Sequence, residues 1–452
     1  NDPIRFTRTM AEYVPLHFLG AVRDAKRELK ATGRGTLSQV LSDVDISDVK
    51  EEVIESIREA NKKLRKSRDI DDLENKITTL LKSHLPKGDN EVSMTVANED
   101  PNRLMKEIRL NLQCHKDCKE YDIYKHGTGL QNLILMAIFR HKISKSIEEK
   151  SKHPILAIEE PEAHLHPQAQ NCLFKNLEEI DSPVLLTTHS PTILKCSNPT
   201  ELIRLTPSKE GNNKVTANQL KYSSLPQSLL KPLSRMMEYG RSEAFFAKTL
   251  ILVEGKSETI ALPEFAELMG FNLSRDGISI IPERGNTFSN ILKVCKEKHF
   301  SIPTVVLFDT DTLQHSSKLL KEAQKAGIIE KEEYQSLRSG SRTEKQRRLE
   351  ELGWIPVDPN FEVEVARSGY VDTMISKIED LGNHKSFKAF LDEFDLKKNA
   401  EGVGKYLNEN KNGRGTKTPV ARAIANNAKK IGKIPECYRK AFEKAKKMAT
   451  GS

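Results

Sequence analysis

The chain has 452 residues, 37% of them hydrophobic and 30% charged, and its length predicts about three domains of roughly 150 residues each. Its apolar runs are far shorter than the roughly 18 residues that a membrane-spanning helix needs. Six scattered Cys residues do not form the pattern of a disulfide framework. The composition therefore predicts a soluble, cytoplasmic, globular protein and argues against a membrane-inserted or disordered chain.

The formal net charge of +8 is concentrated at one end of the sequence. Residues 401–452 contain 13 Lys and Arg against 4 Asp and Glu. A basic segment on a near-neutral body is typical of a protein that contacts a polyanion such as DNA. A solvated Lys-rich helix is the equally good alternative.

The hydropathy pattern divides the chain into four parts. Residues 1–35 look like the continuation of a domain already in progress. Residues 36–90 carry apolar side chains at three- to four-residue steps amid dense charge, which predicts a helical hairpin that either packs on its own domain or serves as a dimerisation arm. Residues 91–235 and 236–452 alternate short apolar runs with helical patterns, which predicts two α/β domains, the second with a charged helical insertion at 331–352.

A first candidate site follows a predicted buried strand at 155–158. Two carboxylates, Glu159 and Glu160, come directly after the strand and before Pro161. Open α/β sheets bind ligands at the carboxyl ends of their strands. One carboxylate at such a place can hold Mg²⁺ on a nucleotide, and its neighbour can orient or deprotonate the attacking water.

Two further elements strengthen this prediction of phosphate chemistry. A second apolar strand, residues 184–188, ends at His189. A Gly-rich turn with Gly127, Gly129 and Gln131 opens a helix, whose N-terminus can hold a phosphate. The alternative for His189 is a hydrogen-bonded histidine without a chemical role.

Together these elements resemble the ABC-type ATPase head of SMC-like and OLD-family (overcoming lysogenisation defect) proteins. The resemblance implies that residues 126–131 form the signature motif, Glu159 and Glu160 the Walker B motif, 161–167 the D-loop region, and His189 the switch histidine. Glu159 replaces the usual Asp of Walker B, and a His stands where the signature motif usually has Ser.

A Walker A motif, G-x-x-x-x-G-K-[ST], is not found in these 452 residues. The Gly255-Lys256-Ser257 sequence has Leu250 where the first Gly belongs. The resemblance implies that this motif lies N-terminal to residue 1, which agrees with a first residue other than Met. We expect the 452 residues alone to bind ATP poorly or not at all.

A second candidate site follows two more predicted strands. Glu254 follows the apolar run 250–253, and Glu258 lies four residues later, where a helix starting after Gly255 can turn it back toward Glu254. The other strand ends in Asp309 and Asp311, whose side chains face the same side. Carboxylate oxygens at adjacent strand ends suit the hard ions Mg²⁺ and Mn²⁺.

These residues resemble a Toprim domain, and its position after an ABC-type head is the arrangement of the OLD family. Similarity to the second class of that family implies a further acid, Glu362 with Glu364 as the alternate, and a catalytic lysine, Lys417. For Lys417 the alternative is an ordinary member of the basic tail. Gly285 and Asn286 resemble a family turn beside the metals, and the alternative there is an ordinary loop.

The resemblance implies a DNA endonuclease, in which two Mg²⁺ or Mn²⁺ ions are held by five acids: Glu254, Glu258, Asp309, Asp311 and Glu362. Lys417 would neutralise charge on the scissile phosphate, and an ATP-binding head would regulate nicking or double-strand cleavage. The family further implies a homodimer or larger assembly, a role in antiviral defence, and a helicase as a possible partner, as in the Gabija system.

Two other functions remain open. One is an ATP-dependent DNA-binding or repair mediator of the SMC or recombination type, without nuclease activity, against which the acidic cluster argues. The other is a Toprim topoisomerase or nucleotidyl-transfer enzyme. Such a topoisomerase needs a nucleophilic Tyr in a separate cleavage domain, and no part of the sequence remains for one.

Overall fold

A computed structural model describes most of the chain, which forms two compact units, residues 1–193 and 194–452. Gly285, Asn286 and Asp311 lie outside the described residues. The described residues are 7–21, 24–64, 66–84, 93–95, 100–113, 116–117, 119–148, 152–207, 214–220, 233–234, 236–237, 241–283, 288–296, 299–310, 316–382, 387, 400–409 and 411–450. None of the helices within these ranges is both long and apolar enough to cross a membrane.

The first unit contains a three-stranded parallel sheet in the order β1–β4–β5. The described strands of this unit are β1 (Leu16–Leu19), β2 (Asn111–Leu112), β3 (Tyr121–Asp122), β4 (Ile155–Glu159) and β5 (Val184–Thr187). Strands β2 and β3 form a separate antiparallel pair. The helices are α1 (Arg8–Tyr13), α2 (Ala25–Glu28), α3 (Thr36–Leu41), α4 (Lys50–Leu64), α5 (Arg68–His84), α6 (Pro101–Glu107), α7 (Thr128–Glu148), α8 (Pro167–Glu178) and α9 (Pro191–Cys196), which ends just inside the second unit.

Helix α7 supplies much of the first unit's core. Its side chains Leu135, Phe139 and Ile143 recur every four residues and are buried together with Leu156 and Ile158 of β4. A stripe at this spacing places one face of the helix against the sheet. The sheet edge that carries Glu159 is thereby fixed relative to the start of α7.

Helices α4 and α5 confirm the two amphipathic helices predicted within residues 36–90. Acidic side chains lie in the first turn of each helix, where they complement the helix dipole. Val53 on α4 and Leu73 on α5 are exposed. The described residues therefore do not fully cover the apolar stripes.

The second unit is built on a four-stranded parallel sheet in the order β11–β10–β8–β9. Its strands are β8 (Thr249–Val253), β9 (Ile278–Pro282), β10 (Thr304–Asp309) and β11 (Trp354–Val357), preceded by an antiparallel pair, β6 (Ile203–Pro207) and β7 (Val215–Gln219). All five residues of β8 are buried, as expected for a central parallel strand covered on both faces.

Helices cover the two faces of this sheet and form a separate apolar core on each. The described helices are α10 (Lys256–Leu268), α11 (Leu273–Asp276), α12 (Phe288–Cys295), α13 (Ser316–Lys325), α14 (Lys331–Arg338), α15 (Arg342–Glu351), α16 (Phe361–Val365), α17 (Val371–Asp380), α18 (Ala400–Glu409), α19 (Lys411–Ile431) and α20 (Glu436–Thr450). The predicted fold class, α/β in both parts with parallel sheets, is confirmed.

Candidate functional site

The carboxyl ends of two neighbouring strands carry the first pair of acids in the second unit. Glu254 follows β8, and Asp309 is the last residue of β10, which pairs with β8 in parallel. The backbone N–H of Asp309 donates a hydrogen bond of 3.1 Å to Oε1 of Glu254. The fold therefore brings this predicted pair together, as parallel strands require.

Glu258 joins the pair from the first turn of α10. Gly255 is the N-cap of that helix, and a Cβ built there would lie 3.0 Å from Oε2 of Glu258. Only 4% of Glu258 is exposed. Burial raises the pKa of its carboxyl to about 7, with Glu362 and Glu254 raising it further and Lys417 opposing them.

Glu362 and Lys417, separated by 55 positions in the sequence, form an ion pair. Asn360 caps the short helix α16 by accepting from the N–H of Val363 at 3.1 Å. Oε1 of Glu362 then lies 3.1 Å from Nζ of Lys417 on α19. Asn408 bridges the pair, because it donates to Oε2 of Glu362 at 3.3 Å and accepts from Nζ of Lys417.

Glu364, the alternate ligand, occupies a different environment. Its Oε1 lies 3.9 Å from Sγ of Cys437, and burial raises the pKa of its carboxyl. Of the two acids, Glu362 is therefore the one beside Lys417.

A buried ion pair at the same sheet edge was not found from the sequence. Glu283 follows β9, its N–H donates to the carbonyl of Val253 at 2.7 Å, and its Oε2 lies 3.1 Å from Nη1 of Arg241. An acid directly after a third parallel strand is the signal that would have pointed to it.

The donor chemistry of this cluster fits a hard divalent cation. The described carboxylates supply only oxygen, the ligand that Mg²⁺ and Mn²⁺ prefer. The raised pKa of Glu258 reflects burial and crowded negative charge, which a cation would relieve. Within the described residues no group of three or more His, Cys, Asp and Glu side chains is arranged to hold a metal ion, and the predicted ligand Asp311 lies outside them.

The first unit brings together the other predicted residues. Glu159 ends β4, and its Oε2 accepts a hydrogen bond of 2.9 Å from the N–H of Ala21. Glu160 follows in a left-handed conformation, with φ of 42°. Its Oε1 lies 4.0 Å from Nε2 of His189, whose side chain is 82% exposed.

Glu162 organises the loop that carries the histidine, a role missed in the sequence. Its Oε1 accepts from the hydroxyl of Thr188 at 2.7 Å and from the N–H of His189 at 2.8 Å. The acid three residues after the strand thus fixes the backbone at the end of β5.

The start of α7 packs on the same loop. A Cβ at Gly129 would lie 2.5 Å from the carbonyl oxygen of His164, whereas one at Gly127 would meet nothing within 4 Å. Buried Gln131 donates to the carbonyl of His126 at 2.7 Å, which closes the turn before the helix. Of the two glycines, Gly129 is therefore the one that a close backbone approach requires.

Family comparisons agree with this division of the chain. Residues 18–194 match the AAA ATPase domain, and residues 245–311 match the TOPRIM domain of overcoming lysogenization defect (OLD) protein-like sequences. Fold and sites therefore define an ATPase domain followed by a TOPRIM domain. The second of these matches is to a domain of OLD-like proteins, so the chain is similar to the OLD family in this part.

Curated relatives match over part of their length. The OLD nuclease of Thermus scotoductus is 30% identical over 196 residues, 41% of this chain and 35% of the relative. The Old nuclease of Escherichia phage P2 is 28% identical over 205 residues, 43% of this chain and 34% of the relative. Endonuclease GajA of Bacillus cereus is 24% identical over 221 residues, 41% and 30% of the two chains. Each match thus spans about a third of the relative's length.

Proposed function

We propose that this protein is a metal-dependent DNA endonuclease whose active site is the acidic cluster of the TOPRIM domain. The carrying observation is the convergence of Glu254, Asp309 and buried Glu258 at one sheet edge, with the Glu362–Lys417 pair coupled electrostatically to Glu258. The nuclease names of the relatives support the same activity.

The proposed ligands of two Mg²⁺ or Mn²⁺ ions are Glu254, Glu258, Asp309, Asp311 and Glu362. Ions bound there would supply an activated water and charge stabilisation at the leaving oxygen. The chain's own contribution is preorganisation. The N–H of Asp309 holds the carboxylate of Glu254, so less reorganisation is needed when the substrate phosphate arrives.

Lys417 is proposed to neutralise charge on the scissile phosphate. Asn408 and Glu362 hold its ammonium group from one side, while 32% of the side chain remains exposed. A lysine fixed in this way can donate to a phosphate oxygen without a large loss of side-chain entropy.

The ATPase domain is proposed to regulate access to DNA. Glu159 and Glu160 at the end of β4 would act on a nucleotide and its Mg²⁺, with His189 beside Glu160 sensing the γ-phosphate. Gly127, Gly129 and Gln131 form the turn that would reach the nucleotide of an opposing subunit.

The wider assignments rest on the family. We propose a homodimer or larger assembly, supported by the exposed Val53 and Leu73 on the amphipathic helices α4 and α5. A cytoplasmic role in antiviral defence, with a helicase as a partner, is proposed from the similarity to endonuclease GajA.

Nicking of supercoiled plasmid tests the assignment in Mg²⁺, in Mn²⁺ and in EDTA. Glu254→Ala, or Asp309→Ala with Asp311→Ala, should reduce cleavage to background while the fold persists, because the changes remove strand-end carboxylates rather than core atoms. Glu267→Ala is the matched control, since Glu267 lies on α10 outside the cluster and pairs with Lys429 at 2.9 Å. Unchanged nicking by Glu254→Ala would rule out this active site, and DNA binding without any nicking would favour the mediator alternative.

A further inference from the structure

A buried tyrosine lies between the two helices that carry the buried carboxylates. Tyr438 on α20 is 0% exposed. Its ring stacks on Phe265 at 5.9 Å between centroids and packs on Phe361 at 6.1 Å. Phe265 lies on the same helix as Glu258, and Phe361 directly precedes Glu362. The aromatic contacts thus fix the ring against the helices that carry Glu258 and Glu362.

The hydroxyl of Tyr438 is buried and makes no hydrogen bond with any described residue. An unpaired buried hydroxyl is costly, and each such group in a native protein calls for an explanation. Tyr370 in the same core shows the ordinary solution, because its hydroxyl donates to the carbonyl of Lys433 at 2.7 Å. The surroundings of the Tyr438 hydroxyl differ from those of the Tyr370 hydroxyl.

Carboxylates of the acidic cluster interact electrostatically with this hydroxyl. Burial raises the pKa of Tyr438 well above its usual range, and Cys437, Glu258, Asp309 and Glu362 raise it further. The phenol therefore keeps its proton at any working pH, and the three carboxylates, when ionised, can only accept a hydrogen bond. Full burial also excludes Tyr438 as a nucleophile toward DNA.

We propose that Tyr438 is a positioning residue of the acidic cluster, whose hydroxyl donates a hydrogen bond to the carboxylate of Glu258 when a divalent cation is bound. Glu258 is chosen as the acceptor because, of the three carboxylates, it raises the pKa of Tyr438 most, and because it lies on α10, whose Phe265 stacks on the tyrosine ring. Ligating carboxylates are commonly oriented by such outer hydrogen bonds. The inference rests on the proposed metal-dependent function and names a residue which that function does not require.

Because the hydroxyl is unpaired without metal, one substitution should have opposite effects on stability and on metal affinity. Tyr438→Phe keeps the ring and removes only the hydroxyl. In EDTA its melting temperature should equal or exceed that of the wild type, because an unpaired polar group has been removed. Its affinity for Mn²⁺, titrated calorimetrically on the full chain without DNA, should fall by about tenfold or more.

Tyr370→Phe is the matched control. It removes a hydroxyl that is hydrogen-bonded, so it should lower the melting temperature and leave Mn²⁺ affinity unchanged. Tyr438→Phe should thus lower metal affinity without lowering stability, and Tyr370→Phe should do the reverse. This difference distinguishes a residue that positions the cluster from one that only stabilises the core.

A double-mutant cycle identifies the acceptor. In a Glu258→Gln background, Tyr438→Phe should change Mn²⁺ affinity by less than about twofold, since its partner is already gone. Wild-type Mn²⁺ affinity in Tyr438→Phe, or a full tenfold loss in both backgrounds, would overturn the inference while leaving the nuclease proposal intact. A wild-type chain that binds no Mn²⁺ would overturn both.

Discussion

Glu258 is a buried carboxyl with other carboxylates nearby, and both features disfavour its ionised form. The residue sits in the first turn of α10, where the helix dipole favours an anion. Burial nevertheless dominates, and the pKa of the carboxyl rises to about 7. The dipole and Lys417 therefore offset only part of the desolvation, and the remainder appears as a pH-dependent loss of stability.

The raised pKa predicts that the metal-free protein is less stable at high pH. In the unfolded chain the carboxyl ionises near 4.5, and in the folded chain near 7. Between these values the folded state binds more protons, so its stability falls as the pH rises, by up to about 3 kcal/mol. Below 4.5 this loss is absent, and above 7 it is complete.

Unfolding free energies of the wild type and Glu258→Gln, measured in EDTA from pH 5 to pH 8, check this prediction. The glutamine variant does not titrate, so its stability should increase relative to the wild type as the pH rises. Glu267→Gln, on the same helix but outside the cluster, should follow the wild type. Parallel curves for wild type and Glu258→Gln would show that this carboxyl carries no such penalty.

At the scale of elements, the start of α7 lies in close contact with the backbone of the loop after β4. Asn132 donates to the carbonyl of Ala163 at 3.2 Å, and Gly129 lies against the carbonyl of His164. His164 itself has a left-handed φ of 64°. The turn with the predicted signature residues and the loop with the predicted Walker B acids are therefore one packed unit.

This packing predicts different effects on stability for alanine at two glycines of one turn. Alanine normally stabilises a helical position by about 1 kcal/mol relative to glycine. At Gly129 its Cβ would meet a backbone oxygen at 2.5 Å, so Gly129→Ala should instead destabilise by about 1–3 kcal/mol. Gly127→Ala, with open space around it, should be nearly neutral.

Hydrogen exchange of the amides at the start of α7 measures the effect locally. Faster exchange in Gly129→Ala and wild-type exchange in Gly127→Ala are expected. Equal exchange in both variants would mean that the loop after β4 moves to accommodate the added Cβ. The turn and the loop would then not form one packed unit.

The sequence predicted elements whose signals are local. A four-residue apolar run, residues 250–253, followed by an acid is sufficient to place Glu254 at a strand end. The Ser341–Glu344 capping box, likewise, marks the start of α15 within the predicted insertion. In both cases a few neighbouring residues determine the conformation.

Contacts between distant helices could not be predicted in the same way. Asn408 bridges Glu362 and Lys417, and Tyr438 packs between α10 and α16, which lie far from it in the sequence. Periodicity tells which face of a helix is buried, not which helix covers it. The resemblance supplied Glu362 and Lys417, and packing alone supplied Asn408 and Tyr438.

For the whole molecule, part of the C-terminal positive charge is already paired. Lys429 lies 2.9 Å from Glu267, and Lys440 lies 3.7 Å from Glu350. Exposed pairs of this kind are weak and exchange readily for other anions. These ion pairs therefore do not argue against contact between this segment and DNA. That contact stays a prediction.

The two candidate sites lie in different units of the chain, and this separation leads to a final prediction. Every described residue of the proposed nuclease site lies in 194–452, whereas Glu160 and His189 lie in 1–193. Phosphodiester hydrolysis is downhill, and bound metal ions would supply its rate enhancement, so ATP hydrolysis should not power the cut. Cleavage by this chain should therefore be the same with and without ATP, and the same in Glu160→Gln.

The measurement is plasmid cleavage by wild type and Glu160→Gln, each with ATP, with a non-hydrolysable analogue and without nucleotide. Glu254→Ala marks the level of zero cleavage under every condition. An ATP effect that the analogue reproduces would contradict the predicted indifference to ATP and would show instead that ATP binding alone regulates cleavage. If cleavage instead requires hydrolysable ATP and disappears in Glu160→Gln, the ATPase domain drives the reaction, and its assignment as a regulator of access is wrong.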